Sequence, residues 1–195
     1  MRLFVALDID DSIRAGIARF LDGVRGFAPD VRWVRPESLH VTLKFIGEKT
    51  EDEVEKIKRL LETIEAGAVE MSIRGYGFFP GAKAQRVFWV GVEGGPKLAS
   101  LAAAVDETLA RLDIPKEEHT FNAHLTLARG AGSSRSPRRE KGDTPNRRFQ
   151  RLQEKLAALP TPEFGTITSR KFFLYRSQLS PGGSKYTKLA EFTLR

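Results

Sequence analysis

HVTLKFIG, residues 40–47, is a strand-like run in which a histidine, a threonine and a lysine alternate with Val41, Leu43 and Phe45. Successive side chains of a strand face opposite ways, so strict alternation predicts His40, Thr42 and Lys44 on one face and the apolar three on the core face. A second run, HLTLAR at 124–129, repeats the His-apolar-Thr-Leu order. The chain holds three histidines and twelve threonines in 195 residues, so chance gives two of the three histidines a threonine two places on with a probability of about 0.01. Either motif alone reads as an ordinary amphipathic strand. Together they mark a site.

The elements around the two motifs follow one order. MRLFVALDI reads as a strand and DDSIRAGIARFLDGV as a helix with Ile13, Ile17, Phe20, Leu21 and Val24 on its apolar face; Asp10, Asp11 and Ser12 mark its start. After the first motif, KTEDEVEKIKRLLETIEAG carries Thr50 and Glu53 at capping-box spacing, a stripe at Val54, Ile57, Leu60, Leu61 and Ile64, and Gly67 as its stop. VEMSIRGYGFFPG is a strand running into a Pro-Gly turn. The order then restarts with the strand RVFWVGV at 86–92 and a helix over 95–115 with Leu98, Leu101, Val105, Leu109 and Leu112 inward. The second motif follows, then a helix beginning near Thr144-Pro145 with Phe149, Leu152, Leu156 and Leu159 inward, and two closing strands. The histidines stand 84 residues apart, which predicts a duplicated α+β unit with approximate repeats 1–85 and 86–195. No linker separates them, so the halves are expected to pack as two lobes of one body. Residues 130–146, rich in Gly, Ser, Arg and Pro, read as a mobile basic surface loop.

Composition narrows the chemistry. The apolar content of 41% fits a soluble body with a sizeable core. Absence of cysteine removes disulfides, thiolate metal sites and a cysteine nucleophile, and points to a cytoplasmic setting. The apolar run at the N-terminus is too short for a signal peptide and no stretch is long enough to span a bilayer. A net charge of +7 favours a polyanionic partner, and seven basic residues face two acidic ones between Arg135 and Arg151.

Imidazole titrates near neutrality, so one ring can act as base while another acts as acid at the same pH. Displacement at phosphorus needs both on opposite sides, for the entering and the leaving oxygen. Threonine hydroxyls suit the non-bridging oxygens, where charge builds up. No metal or cofactor enters this scheme. A zinc site lacks a third ligand at suitable spacing, since His119 reads as a solvated residue in KEEHT. Lys44 shares the His40 face and is a candidate for the phosphate. Arg129, five places after His124, is a second, although strict alternation turns it to the other face. Phe45, Trp33, Tyr76, Phe78 and Phe79 are candidates for stacking on a base, most of them by count belonging to the core.

The paired HVTL and HLTLAR, with MRLFVALDI and RVFWVGV before them, resemble the two-histidine (2H) phosphoesterase superfamily, and within it the RNA 2',3'-cyclic phosphodiesterases once called 2'-5' RNA ligases. The resemblance covers nearly the whole chain. It implies a bilobal α+β fold with two antiparallel sheets lining a central cleft and helices packed outside. It implies His40 as proton donor, His124 as proton acceptor, Thr42 and Thr126 on the phosphate, and Arg129 as the basic residue after the second motif. The implied reaction is metal-independent hydrolysis of an RNA 2',3'-cyclic phosphate end to a 2'-phosphomonoester, with 2'-5' joining as the reverse. The loop residues Arg135, Arg138 and Arg139 are candidates for RNA contact. From another class, the runner-up reading is a non-catalytic protein that grips a terminal RNA or nucleotide phosphate. A monomer without membrane attachment is expected.

Overall fold

A computed structural model describes residues 1–81, 85–130, 147–180 and 183–195. The elements in chain order are β1 (Arg2–Leu7), α1 (Asp11–Val24), β2 (Arg32–Trp33), β3 (Val41–Glu48), α2 (Glu51–Leu61), β4 (Val69–Phe79) and β5 (Val87–Glu93), then α3 (Gly95–Ala110), β6 (His124–Arg129), α4 (Gln150–Ala157), β7 (Glu163–Ser169), β8 (Lys171–Ser180) and β9 (Gly183–Thr193). The fold is α+β, with one sheet in the order β3-β1-β8-β9 and another in the order β2-β6-β5-β4-β7, every pairing antiparallel.

Sheet membership cuts across the halves of the sequence. β1 and β3 are completed by β8 and β9 from the C-terminal half, while β5, β6 and β7 take in β2 and β4 from the N-terminal half. Neither half closes a sheet alone. One continuous core joins both sheets to the helices, through residues such as Leu7, Ile17, Ile57, Val90, Val105, Leu127 and Leu152. The strand β1 is buried on both faces. Leu3, Val5 and Leu7 enter that core, whereas Phe4 and Ala6 meet Phe173 and Tyr175 in a small second cluster.

The helices obey their sequence signals with local exceptions. The α2 capping box forms: Glu53 N–H donates to Thr50 Oγ1 at 3.3 Å and Thr50 N–H to the Glu53 carboxylate at 2.8 Å. That helix stops at Leu61, short of Gly67, because residues 62–68 leave the helix before β4 enters its sheet. At the start of α1, Asp10 makes no side-chain cap. In α4, Phe149, Leu152 and Leu156 are buried but Leu159 is exposed, since the helix ends at Ala157 and Leu159 lies beyond it. The predicted start of that helix at Thr144-Pro145 lies outside the described residues. Among the described residues no helix is long and apolar enough to cross a membrane.

Candidate active site

The two motifs flank one cleft of about 520 Å³, whose lining includes His40, Thr42, His124, Thr126 and Arg129. β3 is the edge of the four-stranded sheet and β6 lies second from the edge of the other, so each sheet contributes one motif. His40 immediately precedes β3 and His124 opens β6.

Both imidazoles are held in the same way. His40 Nδ1 lies 2.8 Å from the Ser38 carbonyl oxygen and His124 Nδ1 lies 2.7 Å from that of Asn122. A carbonyl only accepts, so each Nδ1 carries the donated proton and the lone pair of the neutral ring is left on Nε2. Aromatic neighbours fix the ring planes. Phe4 lies 4.7 Å from His40 and Tyr186 meets it edge-on at 5.0 Å; Phe79 meets His124 edge-on at 5.0 Å, with Trp89 at 6.3 Å. Gly77 makes room for that indole, because a Cβ there would come within 2.2 Å of the Trp89 ring.

Burial pushes His40 down to about 4, and the Arg129 charge adds to this against the Ser38 hydrogen bond and the Asp8 carboxylate. Burial likewise lowers His124, again with Arg129 contributing against the Asn122 hydrogen bond. Both shifts favour the neutral form of the ring. Asp8 itself is pushed up by burial, but hydrogen bonds from Lys188 and the Ile9 N–H and the charges of Lys188 and Arg14 outweigh this and keep it ionised. Desolvation also lowers Arg129, which stays protonated.

One-residue bulges decide what faces the cleft, one in β6 and two in β3, of which the second falls at Ile46 beyond the motif. In β3, Thr42 pairs with Ala6 and Lys44 with Val5, leaving Leu43 as the extra residue. In β6, Thr126 pairs with Trp89 and Ala128 with Phe88, leaving Leu127 as the extra one. Two consecutive side chains then point inward and parity reverses beyond them. The reversal brings Arg129 back to the face of His124 and Thr126. It also corrects two assignments in the first motif. Lys44 is 2% exposed and lies off the cleft, its Nζ donating to the Pro115 carbonyl at 2.6 Å and paired with Asp106 at 2.5 Å. It is a structural cation, not a phosphate ligand. Phe45, expected in the core, is 55% exposed and lines the cleft. Phe45 and Arg129 thus hold equivalent positions, each five residues after a motif histidine.

The remaining expectations divide. Tyr76 and Phe78 pack in or against the core, and Trp33 is tied down by donating its indole N–H to the Ala28 carbonyl at 3.0 Å. His119 is exposed and does not line the cleft. Arg135, Arg138 and Arg139 lie outside the described residues. Among the described residues no three His, Cys, Asp or Glu side chains converge as a metal site would require. Sequence reasoning does not find Arg2 or Tyr186, which also line the cleft; they are far from the motifs in sequence, and only sheet pairing brings them near.

Comparison with known proteins agrees with this geometry. A family model described as LigT-like phosphoesterase matches residues 7–89 and again 90–186. The chain is 31% identical, over 100% of its own length and 99% of the relative's, to the RNA 2',3'-cyclic phosphodiesterase of Methanothermobacter thermautotrophicus. It is 33% identical to the enzyme of that name from Archaeoglobus fulgidus, covering 98% of this chain and 99% of that one. The crystal structure of E. coli LigT complexed with 3'-AMP superposes with a TM-score of 0.76 at 26% identity, over 99% of this chain and 97% of that chain.

Proposed function

The chain belongs to the LigT-like phosphoesterase family, and on that premise we propose that it hydrolyses the 2',3'-cyclic phosphate at an RNA end to a 2'-phosphomonoester. Water attacks phosphorus as His124 Nε2 takes its proton, the bond from phosphorus to O3' breaks, and His40 Nε2 delivers a proton to O3'. The family resemblance assigns the donor and acceptor roles. Thr42, Thr126 and Arg129 neutralise the non-bridging oxygens. Phe45 offers a face to the terminal base, opposite Arg129 across the pseudo-two-fold relation of the motifs. With an RNA 5'-hydroxyl attacking phosphorus in place of water and O3' leaving as before, the same step joins ends through a 2'-5' bond, and its reversal cleaves that bond.

The observation that carries this reading is the doubled arrangement of an imidazole anchored through Nδ1 beside a threonine on the same cleft wall. An anchored Nδ1–H leaves Nε2 as the atom for proton transfer on both sides of a bound phosphorus. A depressed His40 then needs a source of proton affinity. A substrate phosphate supplies it, because an anion close to an imidazole favours the charged ring. The acid is therefore loaded as the substrate binds.

Turnover tests the reading. Wild-type protein in EDTA is expected to convert an oligonucleotide 2',3'-cyclic phosphate to its 2'-phosphate, and His40→Ala and His124→Ala each to lose about 100-fold or more in kcat. Binding without turnover in the wild type would instead indicate a protein that only grips RNA ends.

A further inference from the structure

The cleft continues beyond the histidines into an extension of about 440 Å³, lined by residues that include Arg32, Arg35, Arg129, Ser184 and Leu179. Arg32, Arg129 and Tyr186 border both spaces, so the two form one groove. Its electrostatics are one-sided. Four arginines, Arg2, Arg32, Arg35 and Arg129, line the groove, and among the described residues no aspartate or glutamate does. Among the described residues none of the four has a carboxylate within ion-pair distance.

The pairing of β2 with β6 sets Arg32 directly opposite Arg129. Like charges in that position destabilise a sheet unless an anion lies between or beside them. A single phosphodiester at the histidines carries one negative charge, which Arg129 already faces. Arg2, Arg32 and Arg35 are left over; Arg2 borders only the histidine cleft, whereas Arg32 and Arg35 border the extension. Leu179, 70% exposed at the end of β8, supplies an apolar rim beside them.

We propose that this extension is a second nucleotide subsite, in which Arg32 and Arg35 hold the 3'-5' phosphodiester that joins the last two residues of the RNA. The proposal rests on the reading of the histidine cleft as the terminal-phosphate site, and it makes the substrate an oligonucleotide rather than a free cyclic mononucleotide. In an RNA ending in a 2',3'-cyclic phosphate, the nearest other charge is on the 5' side of the terminal ribose. Guanidinium forks suit that group.

The test compares 2',3'-cyclic AMP with the adenylyl-adenosine dinucleotide ending in a 2',3'-cyclic phosphate, for wild type and Arg35→Ala. Arg35 is exposed and lines only the extension, so the fold is not at risk. Wild type is expected to show kcat/KM about tenfold higher for the dinucleotide. Arg35→Ala should erase most of that advantage and leave the mononucleotide within about twofold, with a shallower salt dependence for the dinucleotide alone. Equal kcat/KM for the two substrates in wild type, or an equal loss on both in the variant, would overturn the subsite. Affinities for the two corresponding 2'-phosphate products, measured by calorimetry, should differ in the same way without turnover. If neither cyclic substrate is hydrolysed but the dinucleotide product still binds more tightly through Arg35, the subsite stands and the catalytic reading falls.

Discussion

At the scale of single residues, what matters is which ring nitrogen is free and what charge each ring carries. Productive encounter with substrate needs His124 neutral and His40 protonated. The first condition fails as pH drops through the lowered pKa of His124, and the second as pH rises above about 4 in the free protein. Both limbs of the kcat/KM profile are therefore expected below pH 6.5, with activity falling about tenfold per unit above it. A bound phosphate raises both rings, so the kcat profile should lie at higher pH; coincident profiles would refute substrate-loaded protonation. Folding carries the same sign. An unfolded His40 binds its proton near 6.5 and the folded one near 4, so the unfolded chain holds more protons between those values. The contribution of His40 to stability is thus complete above about 6.5 and declines as pH falls toward 4. Phe45 gives a third check: its alanine variant should raise KM for 2',3'-cyclic AMP about tenfold with kcat little changed, the size of one lost base stack.

At the scale of elements, the two motif strands owe their function to their bulges. The alternation His-x-Thr is legible in the sequence, and so are the α2 cap and the inward faces of α1 and α3. The parity reversal after Leu43 and Leu127 is not, because a bulge leaves no mark in an apolar-polar pattern when the extra residue is itself a leucine. Strict alternation therefore puts Lys44 on the phosphate and Phe45 in the core, and the bulge exchanges their surroundings. Removing the Lys44 ammonium takes a donor from the Pro115 carbonyl and a countercharge from Asp106, which keeps its hydrogen bond from the Glu117 N–H. Lys44→Ala is expected to cost about 2 to 4 kcal/mol in urea unfolding while KM of the folded fraction stays unchanged. A raised KM with unaltered stability would make Lys44 a substrate ligand instead. Thr50→Ala should cost about 1 kcal/mol through the lost cap, with no effect on turnover.

At the scale of the whole molecule, the exchange of strands ties the sheets together. The order of elements and the 84-residue spacing of the histidines are visible in the sequence, and they suggest two lobes formed by two halves. Pairing partners such as β4 with β7, or β1 with β8, are set by contacts between residues far apart in the chain, which local periodicity does not encode. The exchange has a consequence for folding. A fragment of residues 1–85 lacks the strands that flank β4 and the outer half of the sheet containing β1, so by circular dichroism and proteolysis it should be unfolded, while the full chain unfolds in one transition. The same exchange brings Tyr186 on β9 against His40.

A pair of imidazoles, one from each sheet, acting in turn on a single phosphorus atom is best examined by identifying the product formed from 2',3'-cyclic AMP. Metal-free wild-type protein in EDTA should yield adenosine 2'-phosphate alone, and neither His40→Ala nor His124→Ala, each folded by circular dichroism, should yield it at more than about 1% of that rate. Formation of the 3'-phosphate, full turnover in either variant, or activity that chelation abolishes and zinc restores would contradict the mechanism.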